Sequence, residues 1–176
     1  MACRVTDDAA MNQEPAETPV HARSTGDLPL SKLRGFPSAL RVALKARRIT
    51  TCEQLLRAAG SFAGRRQLLV QGRMDEEDLM TIVHRADLAR VDGLGAVFGL
   101  ILEELGVSTL ASLAAQDPID LHARVREYNR QERISRRSPT PDEVAYWISQ
   151  ARQLPPRVEA VPVNPAVCPA NQPAML

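Results

Sequence analysis

Apolar positions along this chain fall in short helical stripes punctuated by glycine, proline and threonine. The stretch that organises the rest is 86–113, ADLARVDGLGAVFGLILEELGVSTLASL. A short apolar turn (Leu88, Val91) runs into Gly93-Leu94-Gly95, and an apolar helix follows over 97–105. Gly106-Val107 then leads to a Thr109 cap and a new helix. A loop built as glycine, apolar, glycine lets two helices turn sharply, because glycine accepts backbone angles that side chains forbid. Moving the chain by 58 residues lays a second copy over the first. Leu30, Leu33, Gly35, Leu40, Leu44, Ile49, Thr51 and Leu55 fall on Leu88, Val91, Gly93, Phe98, Leu102, Val107, Thr109 and Leu113. Agreement in character without a gap marks an internal repeat.

The other stripes predict the remaining helices. Residues 30–34 form a short helix closed by Gly35, and Pro37 suits the first position of the next. There Ala39, Leu40, Ala43, Leu44 and Ala46 give an apolar side, while Arg41, Lys45 and Arg48 form a basic stripe on another. Thr51 with Gln54 reads as a capping box opening a helix over 52–59, and a further helix is expected over about 63–70. Asp75-Glu76-Glu77-Asp78 places acids at the positive end of a helix dipole. That helix turns Leu79, Ile82, Val83 and Ala86 inward and runs straight into the second hairpin. Asp117-Pro118 starts a helix reaching about residue 132, with Leu121, Val125 and Tyr128 on one face. Thr140-Pro141-Asp142-Glu143 is the clearest helix start in the chain, combining cap, proline and capping-box acid. Val144, Trp147, Ile148 and Ala151 lie along the final helix, matching Leu79, Ile82, Val83 and Ala86 at a shift of 65. Trp147 is expected in the core and Tyr146 at its edge. Pro155-Pro156 ends the pattern, and the proline-rich remainder is expected to be extended and mobile.

Composition narrows the function classes. A chain of 176 residues allows one or two small domains, and 3% aromatic residues suit a small helical core better than a sandwich or barrel. Net charge is +1, so any electrostatic argument must be local. Cys3, Cys52 and Cys168 are scattered, which excludes a disulfide framework and offers no zinc or iron–sulfur spacing. His21, His84 and His122 show no ligand spacing. The acidic start lacks a signal peptide's apolar core, and no run approaches a membrane span. A cytoplasmic protein without membrane contact, metal or cofactor is expected. Cys52, at a helix start behind Arg47 and Arg48, has features that can lower a thiol pKa. No acid or histidine constellation accompanies it, and no HExxH, phosphate loop or nucleophile elbow is present. No enzyme is expected.

The pattern L-x-x-L-x-G-h-G, apolar helix, G-h-x-T resembles the helix-hairpin-helix motif, here in tandem. The fuller layout, over 28–154, resembles a bacterial family of unknown function built from such repeats. Its most specific segments are 85–113 and 121–154. The first repeat, LPLSKLRGFPSALRVALKARRITTCEQLL, is also similar to the C-terminal domain of the bacterial RNA polymerase alpha subunit. The resemblance implies an all-α fold: two tandem helix-hairpin-helix repeats packed as one helical domain, with disordered tails. The expected divisions are a leader over 1–27, repeats over 28–85 and 86–154, and a tail over 155–176.

In DNA-binding relatives the hairpin amides grip a phosphate at the start of the second helix, with nearby Lys or Arg supplying charge. Carried over, the candidate amides are those of Gly35, Phe36 and Ser38, and of Gly93, Leu94 and Gly95. Pro37 replaces the family's second glycine and removes one donor. Charge separates the copies further. Residues 32–48 carry six basic residues and no acid, whereas 90–106 carry one basic residue against Asp92, Glu103 and Glu104. The expected function is therefore non-catalytic, weak, sequence-independent DNA binding through Arg34, Gly35, Phe36, Ser38, Arg41, Lys45 and Arg48. Three or four phosphate contacts imply affinities on the order of 10⁻⁴ to 10⁻⁶ M. Arg130, Arg133, Arg136 and Arg137 either extend that surface or pair with acids on a neighbouring helix. The alternative is an adaptor that binds another protein through the second hairpin and the proline-rich tail. A catalytic or redox role ranks below both.

Overall fold

The computed structural model describes residues 28–72 and 74–160 of the chain. Among these residues eight α-helices follow a 3-10 turn at Leu30–Lys32. They are α1 Ser38–Ala46, α2 Cys52–Ala59, α3 Phe62–Gly72, α4 Glu76–Leu88, α5 Gly95–Glu104, α6 Leu110–Ala114, α7 Pro118–Glu132 and α8 Pro141–Gln153. Among the described residues there is no strand, only an isolated bridge between Pro29 and Thr51. No helix among them is long and apolar enough to cross a membrane.

Local chemistry accounts for most of the helix starts. Thr51 accepts the amide of Gln54 and Gln54 returns to the Thr51 backbone, so both ends of the capping box close. Thr140 and Glu143 do the same ahead of α8, where Pro141 occupies the first turn. Asp117 accepts the amides of Ile119 and Asp120 ahead of Pro118 in α7. Asp75 accepts those of Glu77 (2.9 Å) and Asp78 (3.1 Å), and three acids follow it in the first turn of α4. Each satisfies amides that a helix N-terminus leaves without partners.

The buried side chains form two clusters. One gathers Leu30, Leu33, Phe36, Leu40, Leu44, Leu55, Leu79, Ile82, Val83 and Ala86 with their neighbours, and the other runs from Leu88 through Phe98, Leu102 and Leu121 to Trp147 and Ile148. Helix α4 serves both, since Ala86 belongs to the first and Leu88 to the second. Positions 58 residues apart share their burial: Leu44 and Leu102 are both fully buried, as are Leu55 and Leu113. Thr51 and Thr109 share a backbone conformation to within a few degrees. Phe98 and Trp147, ring centroids 5.3 Å apart, supply the aromatic part of the second core. Burying apolar surface is worth about 25 cal/mol per Å², so each cluster holds its own four-helix unit closed.

Three expectations need correction. The short helix expected over 30–34 is a 3-10 turn of three residues, because the chain there runs beside Thr50 and Cys52. Leu30 donates to Thr50 O and Cys52 to Leu28 O, each at 2.9 Å. Pro37 is the cap of α1 and not its first residue: its ψ of 133° is extended, and the helix begins at Ser38. Tyr146 is 54% exposed and lies on the surface.

A fourth correction concerns the tail. Residues 155–160, expected as the start of a mobile segment, cross from α8 back to the first unit. Arg157 pairs with Glu53. The amide of Glu159 donates to Gly60 O (2.8 Å), and its carboxylate accepts the Phe62 amide at the start of α3 (2.9 Å). Buried Arg65 donates to Gly60 O and Glu159 O, both at 2.7 Å, and Val158 packs on the first core. The prolines fix an extended path, and two charged anchors tie it down. The expectations for 1–27 and 161–176 fall outside the described residues.

Candidate nucleic-acid interface

The first loop, residues 34–37, turns on Gly35, whose φ of +62° is the left-handed conformation that a Cβ disfavours. Its apolar residue, Phe36, is 8% exposed and tucks into the first core. The amides of Gly35, Phe36 and Ser38 meet no acceptor among the described residues. Their neighbouring carbonyls are engaged: Arg85 of α4 donates through Nη1 to Arg34 O (2.8 Å) and Gly35 O (3.0 Å). The loop is therefore braced on its carbonyl side and open on its amide side.

Arg34, Arg41, Lys45 and Arg48 are all exposed, and none makes an ion pair among the described residues. Arg41 and Lys45 stand one turn apart on α1, and the Arg41 guanidinium lies 5.2 Å from the centre of the Phe36 ring. Arg48 follows α1 in a left-handed conformation, φ 60°, at the position of Gly106 in the second copy, φ 79°. Arg47 behaves differently. It donates to Ala43 O (2.8 Å) and Gln71 O (2.6 Å), which fixes it between α1 and the end of α3. Arg41 and Lys45 thus stand with Phe36 at one recess, Arg34 lines the cleft beside the second loop, and Arg47 is set apart by its two carbonyl acceptors.

The second loop, residues 92–95, has left-handed glycines at Gly93 (φ 78°) and Gly95 (φ 65°), with Leu94 buried between them. The Leu94 amide reaches back to Val91 O at 3.4 Å, so one of the three candidate donors already has an internal acceptor. Gln150 of α8 holds the turn by accepting the Asp92 amide (2.9 Å) and donating to Asp92 O (3.1 Å). Glu103, at the position matching Lys45, makes a two-pronged pair with Arg85 at 2.7 and 2.9 Å. That geometry is the strong form of a charged hydrogen bond. The carboxylate that stands where the first copy has Lys45 is already neutralised, by the same arginine that braces the first loop.

Of the four arginines over 130–137, where α7 leads into α8, two are paired. Arg130 holds Glu127, and Arg137 holds Glu143 while lying 5.7 Å from the Phe98 ring centre. Buried Asn129 shapes this connection by donating to Ser135 O and accepting the Ser135 amide.

A recess lies beside each loop. In the first copy a pocket of about 290 Å³ is lined by Leu30, Ser31, Phe36, Arg41, Lys45 and Ile49 among others. In the second, a cleft of about 260 Å³ includes Leu88, Ala89, Leu94 and Gly99, the 58-residue matches of Leu30, Ser31, Phe36 and Arg41. Leu33, Arg34 and Arg85 also line this cleft.

Residues 35–154 match the family described as Domain of unknown function (DUF4332). The chain belongs to that family. Searches among curated proteins and among solved structures each found no match. The DUF4332 match opens at the glycine of the first loop and closes at the end of α8, so the crossing segment 155–160 lies beyond it. Arg85, Gln150 and Asn129, which sequence reasoning missed, all lie within it.

Cys52 does not have the activated thiol that its neighbours suggested. It is 1% exposed in the first core, and burial pushes its pKa up to about 11, with a backbone hydrogen bond lowering it only in part. Desolvation outweighs the helix start. Among the described residues no three His, Cys, Asp or Glu side chains stand where they could hold a metal.

Proposed function

We propose that this chain is a non-catalytic, cytoplasmic helix-hairpin-helix protein that binds DNA weakly and without sequence preference through its first hairpin. The observation that carries the reading is the basic face of α1 beside the amides of Gly35, Phe36 and Ser38, which meet no acceptor among the described residues. Arg34, Arg41, Lys45 and Arg48 stay exposed with no acidic partner among the described residues. Elsewhere among the described residues Arg47, Arg65, Arg85 and Arg137 are held by carboxylates or carbonyls. A phosphate facing residues 35–38 would meet amide donors and mobile positive charge together, which is what a helix N-terminus with flanking cations offers an anion.

The tandem helix-hairpin-helix reading rests on Gly35 and Gly93, which share the left-handed turn, and on the apolar Phe36 and Leu94 buried behind them. Pro37 removes one donor from the first loop, so affinity comes mainly from charge. The test is a fluorescence anisotropy titration against a short DNA duplex at low and moderate salt. Detectable binding that weakens steeply with salt is expected, with strong loss in the Arg41→Glu, Lys45→Glu double variant. Folded protein that binds no duplex at low salt would sink the reading.

A second reading, a protein-binding adaptor, is favoured by the apolar cleft beside Gly93-Leu94-Gly95. A Cβ at Gly95 or Gly99 would meet nothing within 4 Å, so α5 leaves open space there. Gly99→Leu would fill it. An adaptor would lose its partner in that variant while DNA binding stayed unchanged.

A further inference from the structure

The recess beside the first loop is not needed for gripping a phosphate backbone. Its floor is apolar, made by Leu30, Phe36 and Ile49, and Ser31 stands at its exposed rim. Two unpaired cations, Arg41 and Lys45, line the same wall. At about 290 Å³ it can admit one flat heterocycle with room to spare. Its counterpart in the second copy has Gly99 in place of Arg41, is lined also by Leu33 and Arg34 of the first unit, and has Glu103 at the chain position of Lys45, where it pairs with Arg85. The first recess joins an apolar floor to two cations that no carboxylate holds among the described residues, Arg41 and Lys45, whereas the second cleft has Arg34 at its edge and Arg85, which Glu103 already holds.

We infer that this recess takes a single unpaired nucleobase of single-stranded DNA, with the adjoining phosphates on Arg41, Lys45 and the amides of Gly35, Phe36 and Ser38. The inference rests on the proposed DNA-binding reading and sharpens it. Arg41 already lies over the Phe36 ring at 5.2 Å, and a guanidinium plane stacks on a base as it does on an aromatic side chain. Duplex DNA keeps its bases stacked inside and can use only the charge and the amides. A single strand adds the base, without hydrogen-bond readout of its identity.

Three labelled 15-mers tested on the full chain separate the contributions: oligo-dT, an abasic strand carrying the same phosphates, and a duplex. Oligo-dT should bind at least about fivefold more tightly than the abasic strand, the low end of what one stacked base contributes. Ser31→Leu, at an exposed position, narrows the recess without changing charge. It should bring oligo-dT down to the abasic level and leave abasic binding intact. As a readout independent of any variant, a 4-thiothymidine strand should photo-crosslink within residues 28–50. Equal binding of oligo-dT and the abasic strand by the wild-type protein, or adducts confined to other segments, would overturn the inference. In that case duplex binding would leave the broader function standing. If none of the three strands binds at low salt, both fail.

Discussion

Arg48 occupies a conformation built for glycine, and the chain itself supplies the control. Arg48 (φ 60°) and Gly106 (φ 79°) are 58 residues apart and end equivalent helices. Both ends close alike: Ile49 donates to Leu44 O at 3.0 Å, and Val107 to Leu102 O at 2.7 Å. This is the wide backbone bond that a left-handed residue permits. The left-handed conformation costs a residue with a side chain about 1–2 kcal/mol, and glycine's extra freedom in the unfolded chain takes back roughly 0.5–1 kcal/mol. Arg48→Gly should therefore stabilise the protein by about 0.5–1 kcal/mol, a rise of roughly 2–4 °C in Tm for a folded region of this size. The mirror variant is equally clean. A Cβ at Gly106 would meet nothing within 4 Å, so Gly106→Ala should cost about 1 kcal/mol from the backbone alone. Thermal and urea denaturation of the three proteins measure both effects. If Arg48 serves a phosphate, the stabilised Arg48→Gly protein should also bind duplex DNA several-fold more weakly, with a shallower salt dependence. An Arg48→Gly protein no more stable than wild type, beside a destabilised Gly106→Ala, would refute the backbone argument at this position.

The remaining predictions address the loop, the crossing segment, one carboxylate and one neighbouring arginine. Gly35→Ala combines a φ of +62° with a Cβ only 2.8 Å from Arg85 Nη1. It should cost about 1–2 kcal/mol in urea denaturation and weaken DNA binding, and wild-type stability would contradict the strain. Ending the chain at Leu154 strips Arg65, 3% exposed, of its Glu159 acceptor and opens the start of α3. A loss of about 2–4 kcal/mol is expected, since bonds to a buried charge are worth about 1.5–3 kcal/mol each; unchanged unfolding would mean that the crossing contributes nothing. Arg137, and then the Thr140 amide, hold Glu143 down from 4.5 to about 2. Because the folded value is the lower one, its stabilisation of the α8 start is complete above about pH 4.5 and disappears as pH falls towards about 2. Carboxyl NMR should find a Glu143 midpoint well below 4, and an ordinary midpoint would refute the pairing. Arg47→Ala should lose about 1 kcal/mol of stability with DNA binding kept, the reverse of Arg41→Ala; the same profile in both would erase the distinction between them.

How much of this was legible in the sequence depends on how local each signal is. The starts of α2, α7 and α8 were legible to the residue, because Thr51 with Gln54, Asp117 with Pro118, and Thr140 with Glu143 each carry their own partner within three positions. The loops were legible through the repeat. Arg85 was not, since its carbonyl acceptors lie 50 and 51 residues away and its carboxylate 18. Glu103 was consequently read as a bare charge, when its partner is what decides its effect. The crossing over 155–160 was hidden for the same reason: Glu159 meets Phe62 across 97 residues, and the prolines before it read only as an end. At Cys52 two local rules pointed towards a reactive thiol, and burial, visible only in the folded chain, overrode them.

The two copies therefore differ less in backbone than in where their charges find partners. In the second unit Arg90 holds Asp87, Arg137 holds Glu143, and Glu103 is taken by Arg85 from α4. In the first, α1 carries cations with no carboxylate to meet, although α4 begins with four acids in a row. Those acids are spent at their own helix start, where Asp75 accepts two amides and its neighbours face the positive end of the dipole. Keeping acids at the start of α4 and cations on α1 gives a nearly neutral chain a basic face along α1. A net charge of +1 could not reveal that separation. An exposed cation with no fixed partner contributes little to stability but keeps its full charge for an incoming anion. That separation is why the first copy, despite the donor lost at Pro37, is the better candidate for DNA.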